Sequence, residues 1–500
     1  MSLGAQILLK NALHHIQENN LDEARGLLLR ALSASPNNPD VLRFLSVIAA
    51  MQFDYQYSLD LIDEVIKLTP ENGVAHSNRG NILKELGRFD DALISLDKAI
   101  KLQPNYAEAY SNKGNVLQEL HRYEDALSWY DKAIFLQPNY AEAYSNKGNA
   151  LELLHYHDEA MQNFDLATAI NPQYMDAYWH KAMGQLAAGN YELGWKNYEA
   201  RWSKSHPIKF QYGNIPRLEN LNNIAGKKIL IWSEQGLGDT LQFCRYIELL
   251  AELGSKVTFV VQKPIIKALS SLIICCDLVE GIYGFAEVFD YQSPLLSLPL
   301  VFQTNLKTIP AKVPYLGFDE IKKQEFESRL IKGGSLKVGL VWNGGFRADH
   351  PELWETNKRR NITLNQVAHL RDIPGVDFYS LQKGDPAESE FIAKKDELWP
   401  GMVNCAQWLD DFSDTAALIE NLDLIISVDT STAHLAGALG KPVWILNRHD
   451  SCWRWLRGRA DSPWYPTAKI YQQVKPGDWD GVLEQVRIHL NALALAHLNQ

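Results

Sequence analysis

The sequence predicts an array of α-helical repeats followed by an α/β domain built of two lobes. Three observations support this fold class. Small residues and prolines recur every 34 residues in the first part of the chain, strand and helix patterns alternate in the remainder, and Gly333-Gly334-Ser335 divides that remainder into two parts.

The length and composition indicate a protein with more than one hydrophobic core. A chain of 500 residues exceeds what one core can serve, and 46% hydrophobic against 22% charged residues is typical of globular proteins. We expect neither a membrane span nor a secretory leader, and five cysteines without disulfide or metal spacing favour a reducing cytoplasm. A net charge of -11 argues against general nucleic-acid binding.

A fixed period of 34 residues runs through residues 1–205. It relates three sets of residues: Gly80, Gly114 and Gly148; Pro70, Pro104, Pro138 and Pro172; Ala92, Ala126 and Ala160. Each unit contains a first helix with a central glycine and a second, apolar helix that ends at a proline. The pattern resembles the tetratricopeptide repeat and predicts about six units that stack into a superhelix.

Three asparagines occupy equivalent places on the first helices: Asn78, Asn112 and Asn146. Stacked repeats would align their amides on the concave surface, where each can donate to and accept from a peptide backbone. This arrangement is similar to the asparagine ladder of O-GlcNAc transferase and predicts a groove that binds a protein acceptor. The alternative is that asparagine is simply tolerated on the surface of the repeats.

Changes of pattern mark the boundaries that we predict for the rest of the chain. Prolines and glycines interrupt the helical pattern after the repeats, and each lobe then begins with an apolar strand. The predicted parts are a linker over 206–226, a first lobe over 227–332, a second lobe over 333–480 and a final helix over 481–500.

A turn with two glycines joins the first predicted strand, Lys228 to Trp232, to a helix that opens on Asp239. The turn lacks the Gly-Lys-Ser/Thr of a P-loop and the third glycine of a dinucleotide fingerprint, and an aspartate at a helix mouth would repel a phosphate. Two explanations for Asp239 are open. It is either an N-cap or a general base whose charged form the helix dipole favours.

The second lobe contains basic residues that stand out in an acidic chain. After the strand Lys337 to Trp342 come four of them: Arg347, Lys358, Arg359 and Arg360. Such a cluster at the carboxyl end of a strand suits the clamping of a diphosphate, and Lys383, after the next strand, is a further candidate. The alternative is a solvated loop.

A later apolar strand, Leu422 to Val428, ends in Asp429 and leads into a helix of small residues. Three hydroxyl residues and a histidine open this helix: Thr430, Ser431, Thr432 and His434. Free N–H groups beside hydroxyls suit a phosphate, whereas an ordinary capped helix with a partly buried histidine is the alternative. The aromatic, arginine-rich stretch over 453–465 suits either stacking on a ligand or packing between the lobes.

Together, the G-x-G-D-T turn and the D-T-S-T-A-H segment resemble those of heptosyltransferase-like glycosyltransferases, the family 9 type, over residues 226–480. The resemblance implies the GT-B fold, in which two Rossmann-like lobes face each other. The first lobe of that fold binds the acceptor, and the second binds a nucleotide-diphosphate sugar.

The resemblance also implies roles for particular residues. It assigns the acceptor side to residues of the first turn: Gly236, Gly238 and Asp239. It assigns the donor phosphates to residues of the late segment: Asp429, Thr430 and His434. Asp239 is then the catalytic base. A lysine that heptosyltransferases use on the donor has no match after Trp342, and Arg347 or Arg359 would replace it.

The fusion of repeats to such a domain is similar in architecture to O-GlcNAc transferase and to bacterial flagellin-modifying transferases. The sequence therefore predicts a metal-independent glycosyltransferase that needs no cofactor and modifies a protein recruited by the repeats. Asp478-Trp479-Asp480 has the spelling of a metal site, but it opens the last helix and is better explained as a cap. The alternatives are an interaction scaffold with an inactive domain, and a glycan- or lipid-directed enzyme whose repeats serve assembly, as in a homo-oligomer.

Overall fold

The computed structural model of the protein describes residues 3–18, 20–205, 207–281, 288–345 and 354–499. The chain forms two compact units, residues 1–181 and 182–500. The division falls inside a helix that belongs to the repeat pattern. The domain boundaries predicted above stay predictions.

The first unit consists of consecutive helix pairs. Its helices are α1 (Leu3–Gln17), α2 (Leu21–Ala34), α3 (Pro39–Met51), α4 (Tyr55–Leu68), α5 (Gly73–Glu85), α6 (Phe89–Leu102), α7 (Ala107–Glu119), α8 (Tyr123–Leu136), α9 (Ala141–Leu153), α10 (His157–Ile170) and the start of α11 (Met175–Ala187). A Cβ atom on Gly114 would lie 2.5 Å from the ring of Tyr130, and one on Gly148 would lie 2.6 Å from the ring of Phe164. The periodic glycines therefore allow the two helices of a pair to touch.

An ion pair with the same 34-residue period joins neighbouring repeats. The pairs are Arg79 with Asp63, Lys113 with Asp97, Lys147 with Asp131 and Lys181 with Asp165. In each pair the cation lies on the first helix of a repeat and the carboxylate lies on the second helix of the preceding repeat. Pairs of this exposure contribute only ~0.2–1 kcal/mol each, so stacking depends mainly on the buried apolar faces.

The first sheet of the second unit is parallel and has four strands. Its strands are β1 (Lys228–Trp232), β2 (Lys256–Val261), β3 (Cys276–Glu280) and β4 (Tyr291–Pro294), in the spatial order β3-β2-β1-β4. The associated helices are α12 (Tyr191–Tyr198), α13 (Leu237–Phe243), α14 (Arg245–Glu252), α15 (Leu298–Val301) and α16 (Glu320–Arg329). The central strands are buried on both faces, as expected for parallel strands covered by helices.

A six-stranded parallel sheet follows. Its strands are β5 (Leu336–Val341), β6 (Val376–Ser380), β7 (Val403–Asn404), β8 (Leu424–Val428), β9 (Val443–Asn447) and β10 (Ala468–Gln472), in the order β10-β9-β8-β5-β6-β7. Its helices are α17 (Trp354–Arg360), α18 (Leu364–Val367), α19 (Ala387–Leu398), α20 (Phe412–Glu420), α21 (Ser431–Ala438) and α22 (Trp479–Leu498). This is the doubly wound order in which strand sequence reverses once, between β5 and β8.

The two reversals determine where a ligand can bind. In open α/β sheets, ligands occupy the crevice at the carboxyl ends of the strands where the order reverses. In the first sheet the reversal lies between β1 and β4, beside the turn that carries Asp239. In the second sheet it lies between β5 and β8, beside Asn343 and Asp429. Both stretches that the sequence singled out lie at these positions.

The last helix, α22, begins with the predicted cap. The side chain of Asp478 accepts the N–H of Gly481 at 3.0 Å, so this acid caps the helix as expected. Among the helices of the described ranges, none is long and apolar enough to cross a membrane.

Candidate functional site

The turn after β1 places Asp239 inside the first turn of α13. The helix begins at Leu237 with Gly236 as its N-cap, so the N-cap explanation for Asp239 is wrong by three positions. The backbone of Gly236 donates to Oδ2 of Asp239 at 3.0 Å. The helix begins earlier than the sequence suggested because the carboxylate reaches back from the third helical position.

The other oxygen of Asp239 is paired with an arginine from a loop next to the second sheet. Nη2 of Arg454, on the loop after β9, donates to Oδ1 of Asp239. The guanidinium lies 4.3 Å from the ring of Trp453. Burial opposes the charge of Arg454, but Asp239, Cys452 and Tyr198 together raise the pKa of Arg454 well above its usual range. Both oxygens of the candidate base are therefore engaged.

His434, on α21, is buried next to the first turn of α13. Its ring stacks on Trp455 with centroids 5.2 Å apart, and Nδ1 lies 3.0 Å from the hydroxyl of Tyr465. Nε2 lies 3.7 Å from Oδ1 of Asp429. Burial lowers the pKa of His434 to about 4, although Asp429 acts in the opposite direction. The imidazole is therefore neutral at neutral pH and can donate one hydrogen bond.

The starts of α13 and α21 touch each other at Gly238. A Cβ atom on Gly238 would lie 2.7 Å from Cδ2 of His434 and 3.4 Å from the Cα of Ser431. Real Cβ atoms do not approach as closely as 2.7 Å, so a larger residue here would force the ring of His434 to shift. The glycine that the sequence assigned to the acceptor side thus holds the two candidate stretches in contact.

Three arginines and a buried histidine surround Asp429 at the reversal of the second sheet. Arg360 donates to the carbonyl oxygens of Asp429 at 3.0 Å and of Gly344 at 3.3 Å. Burial alone would raise the pKa of the Asp429 carboxyl, but its neighbours lower that pKa below the usual range. These neighbours are His434, Arg360, Arg448 and Arg454.

The remaining basic candidates differ in how near they lie to the reversal of the second sheet. Nε of Arg359 lies 3.1 Å from the carboxylate of Asp450, beside this cluster. Lys383 is exposed and donates to the carbonyl oxygen of Ala406 at 2.8 Å, which ties it to β7 and away from the reversal. Arg347 lies outside the described residues. The structure therefore brings Arg360 to the site and bonds Lys383 to the segment after β7, the edge strand.

The start of α21 offers N–H groups without a side-chain cap. Thr430 is the N-cap, but its hydroxyl bonds to that of Ser427 at 2.9 Å instead of to the helix backbone. Ser431 is half-buried and Thr432 is buried. Uncapped N–H groups next to arginines suit a phosphate. Within the described residues, no three potential metal ligands come together.

The aromatic stretch over 453–465 packs inside the unit. Trp455, Trp464 and Tyr465 are at most 1% exposed. Nε1 of Trp464 donates to the hydroxyl of Tyr191 on α12 at 2.9 Å. The packing explanation is therefore confirmed for these rings.

Arg201 and Glu234 form a buried ion pair next to the turn that carries Asp239. The sequence predicted neither residue as part of the site. Glu234 lies two residues after the end of β1, and its side chain is fully buried 3.2 Å from that of Arg201. It also accepts the N–H of Leu296, which follows β4, at 3.2 Å. Burial raises the pKa of Glu234 to about 7 against the influence of Arg201. An acid within two residues of the end of an apolar strand is the signal that could have identified Glu234.

The asparagines of the repeats differ in their surroundings. Asn112 is buried and donates to the hydroxyl of Ser77, in the preceding repeat, at 3.2 Å. Asn78 and Asn146 are half-buried. The middle amide thus contributes to stacking, and a peptide-binding role for the three stays a prediction.

Comparison with protein families confirms the repeats. Models described as the tetratricopeptide repeat match residues 9–73, 107–140 and 141–174, and a model described as the TPR repeat matches residues 80–121. The first unit is therefore a tetratricopeptide-repeat array. Arrays of this kind act as scaffolds for protein partners.

One curated relative and several solved structures are similar to the chain. Protein FlbA of Caulobacter vibrioides is 27% identical over an alignment of 335 residues, and this alignment covers 62% of this chain and 54% of the relative, so the match spans about half of FlbA. A thermophilic TPR protein of Thermus thermophilus is 20% identical over 36% of this chain and 99% of its own, with a TM-score of 0.35. Pseudomonas aeruginosa pilF is 17% identical over 40% of this chain and 90% of its own, with a TM-score of 0.34.

Proposed function

We propose that the protein is a GT-B glycosyltransferase that moves a sugar from a nucleotide-diphosphate sugar to an acceptor hydroxyl, on a protein held by the repeats. The observation that carries the proposal is the meeting of α13 and α21 at the carboxyl edges of two parallel sheets. Asp239 stands on one side of this meeting point, and Asp429 and His434 stand on the other. The proposed base would thus lie next to the proposed anion site, as transfer of a glycosyl group requires.

Asp239 acts as the general base in this proposal. As the acceptor oxygen forms a bond to the anomeric carbon, its proton passes to the carboxylate of Asp239. The bond from the anomeric carbon to the diphosphate oxygen breaks, and the electron pair leaves with the nucleoside diphosphate. The first sheet supplies the base, and its crevice between β1 and β4 accommodates the acceptor.

The second sheet stabilises the leaving diphosphate. The N–H groups at the start of α21 and the guanidinium of Arg360 provide fixed positive charge. We assign the hydroxyl proton of Tyr465 to Nδ1 of His434, which makes Nε2 the donor that faces Asp429 and the diphosphate. Fixed dipoles and cations would thereby carry the charge that a metal carries in other transferases.

The test combines a donor screen with a variant of the base. The full chain is incubated with UDP-, GDP-, ADP- and CDP-sugars, and release of the nucleoside diphosphate is measured. Asp239→Asn should lower turnover by roughly a hundredfold or more, the usual scale for loss of a general base. The control Asp461→Asn changes an exposed acid on the loop after β9 and should leave turnover unchanged. EDTA should not abolish activity.

Two results would contradict this proposal. Turnover that persists in Asp239→Asn would remove Asp239 from the chemistry. Absence of turnover with every donor, together with capture of protein partners by the repeats, would support the scaffold with an inactive domain.

A further inference from the structure

Arg454 interacts with residues on both sides of the site. It belongs to the loop after β9, a strand of the second sheet. It is bonded to Asp239 on α13, the helix that follows β1 of the first sheet. Its charge also acts on Asp429 and His434. The residue therefore lies between the candidate base and the proposed diphosphate site.

The guanidinium of Arg454 has binding capacity that its contacts do not use. Nη2 is bonded to Asp239, and Nη1 lies 3.1 Å from the sulfur of Cys452. Nε is buried, and no hydrogen-bond acceptor for it is found in the described part of the chain. A guanidinium has five N–H donors in a planar fork that matches phosphate oxygens, so a second anion can be bound here.

We propose that Arg454 is shared between the base and the donor. It holds Asp239 until a diphosphate occupies the second sheet, and it then pairs with a diphosphate oxygen and releases the carboxylate to take the acceptor proton. The inference rests on the proposed function and deepens it by assigning regulation of the base to the donor. The physical reason is geometric. Gly236 and Arg454 each occupy one oxygen of Asp239, and an acceptor hydroxyl needs an available oxygen to which it can pass its proton.

If Arg454 is shared, removing the charge of Asp239 should increase the affinity for diphosphate. If Asp239 and the diphosphate compete for Arg454, removing the carboxylate makes the arginine available and tightens diphosphate binding. A purely structural carboxylate would act in the opposite direction, because its loss would disturb α13 and the site. Loss of a negative charge near the ligand also favours an anion, but this Coulomb effect does not require Arg454.

A double-mutant cycle separates these effects. Isothermal titration calorimetry measures the affinity of the full chain for inorganic pyrophosphate and for UDP, GDP, ADP and CDP. The proteins are the unaltered chain, Asp239→Asn, Arg454→Ala and the double variant. We expect Arg454→Ala to weaken diphosphate binding about tenfold, which is the loss of one charge-assisted contact. We expect Asp239→Asn to tighten it about fivefold in the unaltered background and by less than about twofold beside Arg454→Ala.

The neighbouring pair of Arg459 and Asp461 provides a matched control. These residues form an ion pair at 2.7 Å on the same loop but are exposed. Arg459→Ala and Asp461→Asn should leave diphosphate affinity unchanged. If Arg454→Ala does not fold, as judged by circular dichroism, Arg454→Lys takes its place, because lysine keeps the charge and loses the fork.

The outcomes distinguish this inference from the proposed function. If Asp239→Asn weakens diphosphate binding, leaves it unchanged, or tightens it equally in both backgrounds, Arg454 is not shared. The transferase proposal is unaffected by any of these results. Failure of every probe to bind the unaltered chain overturns both.

Discussion

Lowering the pH from 7 to 4 should destabilise the second unit through His434. This imidazole is 4% exposed, lies flat against Trp455 and contacts the hydroxyl of Tyr465. Burial lowers its pKa from 6.5 to about 4. Between pH 6.5 and pH 4, His434 is therefore neutral in the native protein and protonated in the unfolded chain.

The sign and size of the effect follow from proton linkage. Between pH 6.5 and pH 4 the unfolded chain binds one more proton at this histidine than the native protein does, so the unfolding free energy falls as the pH falls. The slope is about 1.4 kcal/mol per pH unit. Over this window His434 should remove about 3 kcal/mol, and above pH 6.5 its contribution should be constant.

Urea unfolding followed by tryptophan fluorescence measures this contribution. Of the fourteen tryptophans only Trp129 and Trp179 precede residue 182, so the signal reports mainly on the second unit. The unfolding free energy is compared between pH 7 and pH 4 for the unaltered chain and for His434→Gln. The variant keeps a hydrogen-bonding group but cannot titrate, so its acid loss should be about 3 kcal/mol smaller.

A histidine at the surface serves as the reference for this comparison. His369→Gln changes an exposed residue of the same unit and should behave as the unaltered chain. Equal losses of stability in His434→Gln and in the unaltered chain would refute the reasoning, because burial of the imidazole would then have no cost for its charged form.

Three further predictions test other features. Burial raises the pKa of Glu234 to about 7, so the contribution of this residue to stability is present below pH 4.5 and is lost as the pH rises to 7. In the same urea assay, Glu234→Gln should therefore lose less stability than the unaltered chain between pH 4.5 and pH 8. Gly238→Ala should destabilise the second unit by about 1–3 kcal/mol through overpacking against His434, whereas Gly401→Ala, which meets no atom within 4 Å, should not; equal midpoints would contradict the close approach. Changing Asn78, Asn112 and Asn146 together to alanine should reduce modification of a protein acceptor while hydrolysis of the nucleotide sugar persists, and an unaltered rate of modification would exclude the asparagines as its binding groups.

The sequence by itself determined the features that depend on local pattern. The 34-residue period predicted the repeats, because a helix pair that cannot bury its apolar face alone must be repeated. The short apolar runs predicted strands such as β1 and β8, and an acid before a helical pattern predicted the cap at Asp478. The motifs around Asp239 and Asp429 were found because each is contiguous in the chain.

Only the tertiary structure decided which side chains meet. Asp239 and Arg454 are separated by 215 positions, and Arg201 and Glu234 come from different elements. No local pattern encodes such pairs, because they depend on the order of strands within a sheet and on how two sheets approach. The same order left Lys383 beside β7, although its position after a strand looked equivalent to that of the other cations. Burial, which sets the pKa of His434 and of Glu234, is likewise a property of the packed molecule and not of the residues' neighbours in sequence.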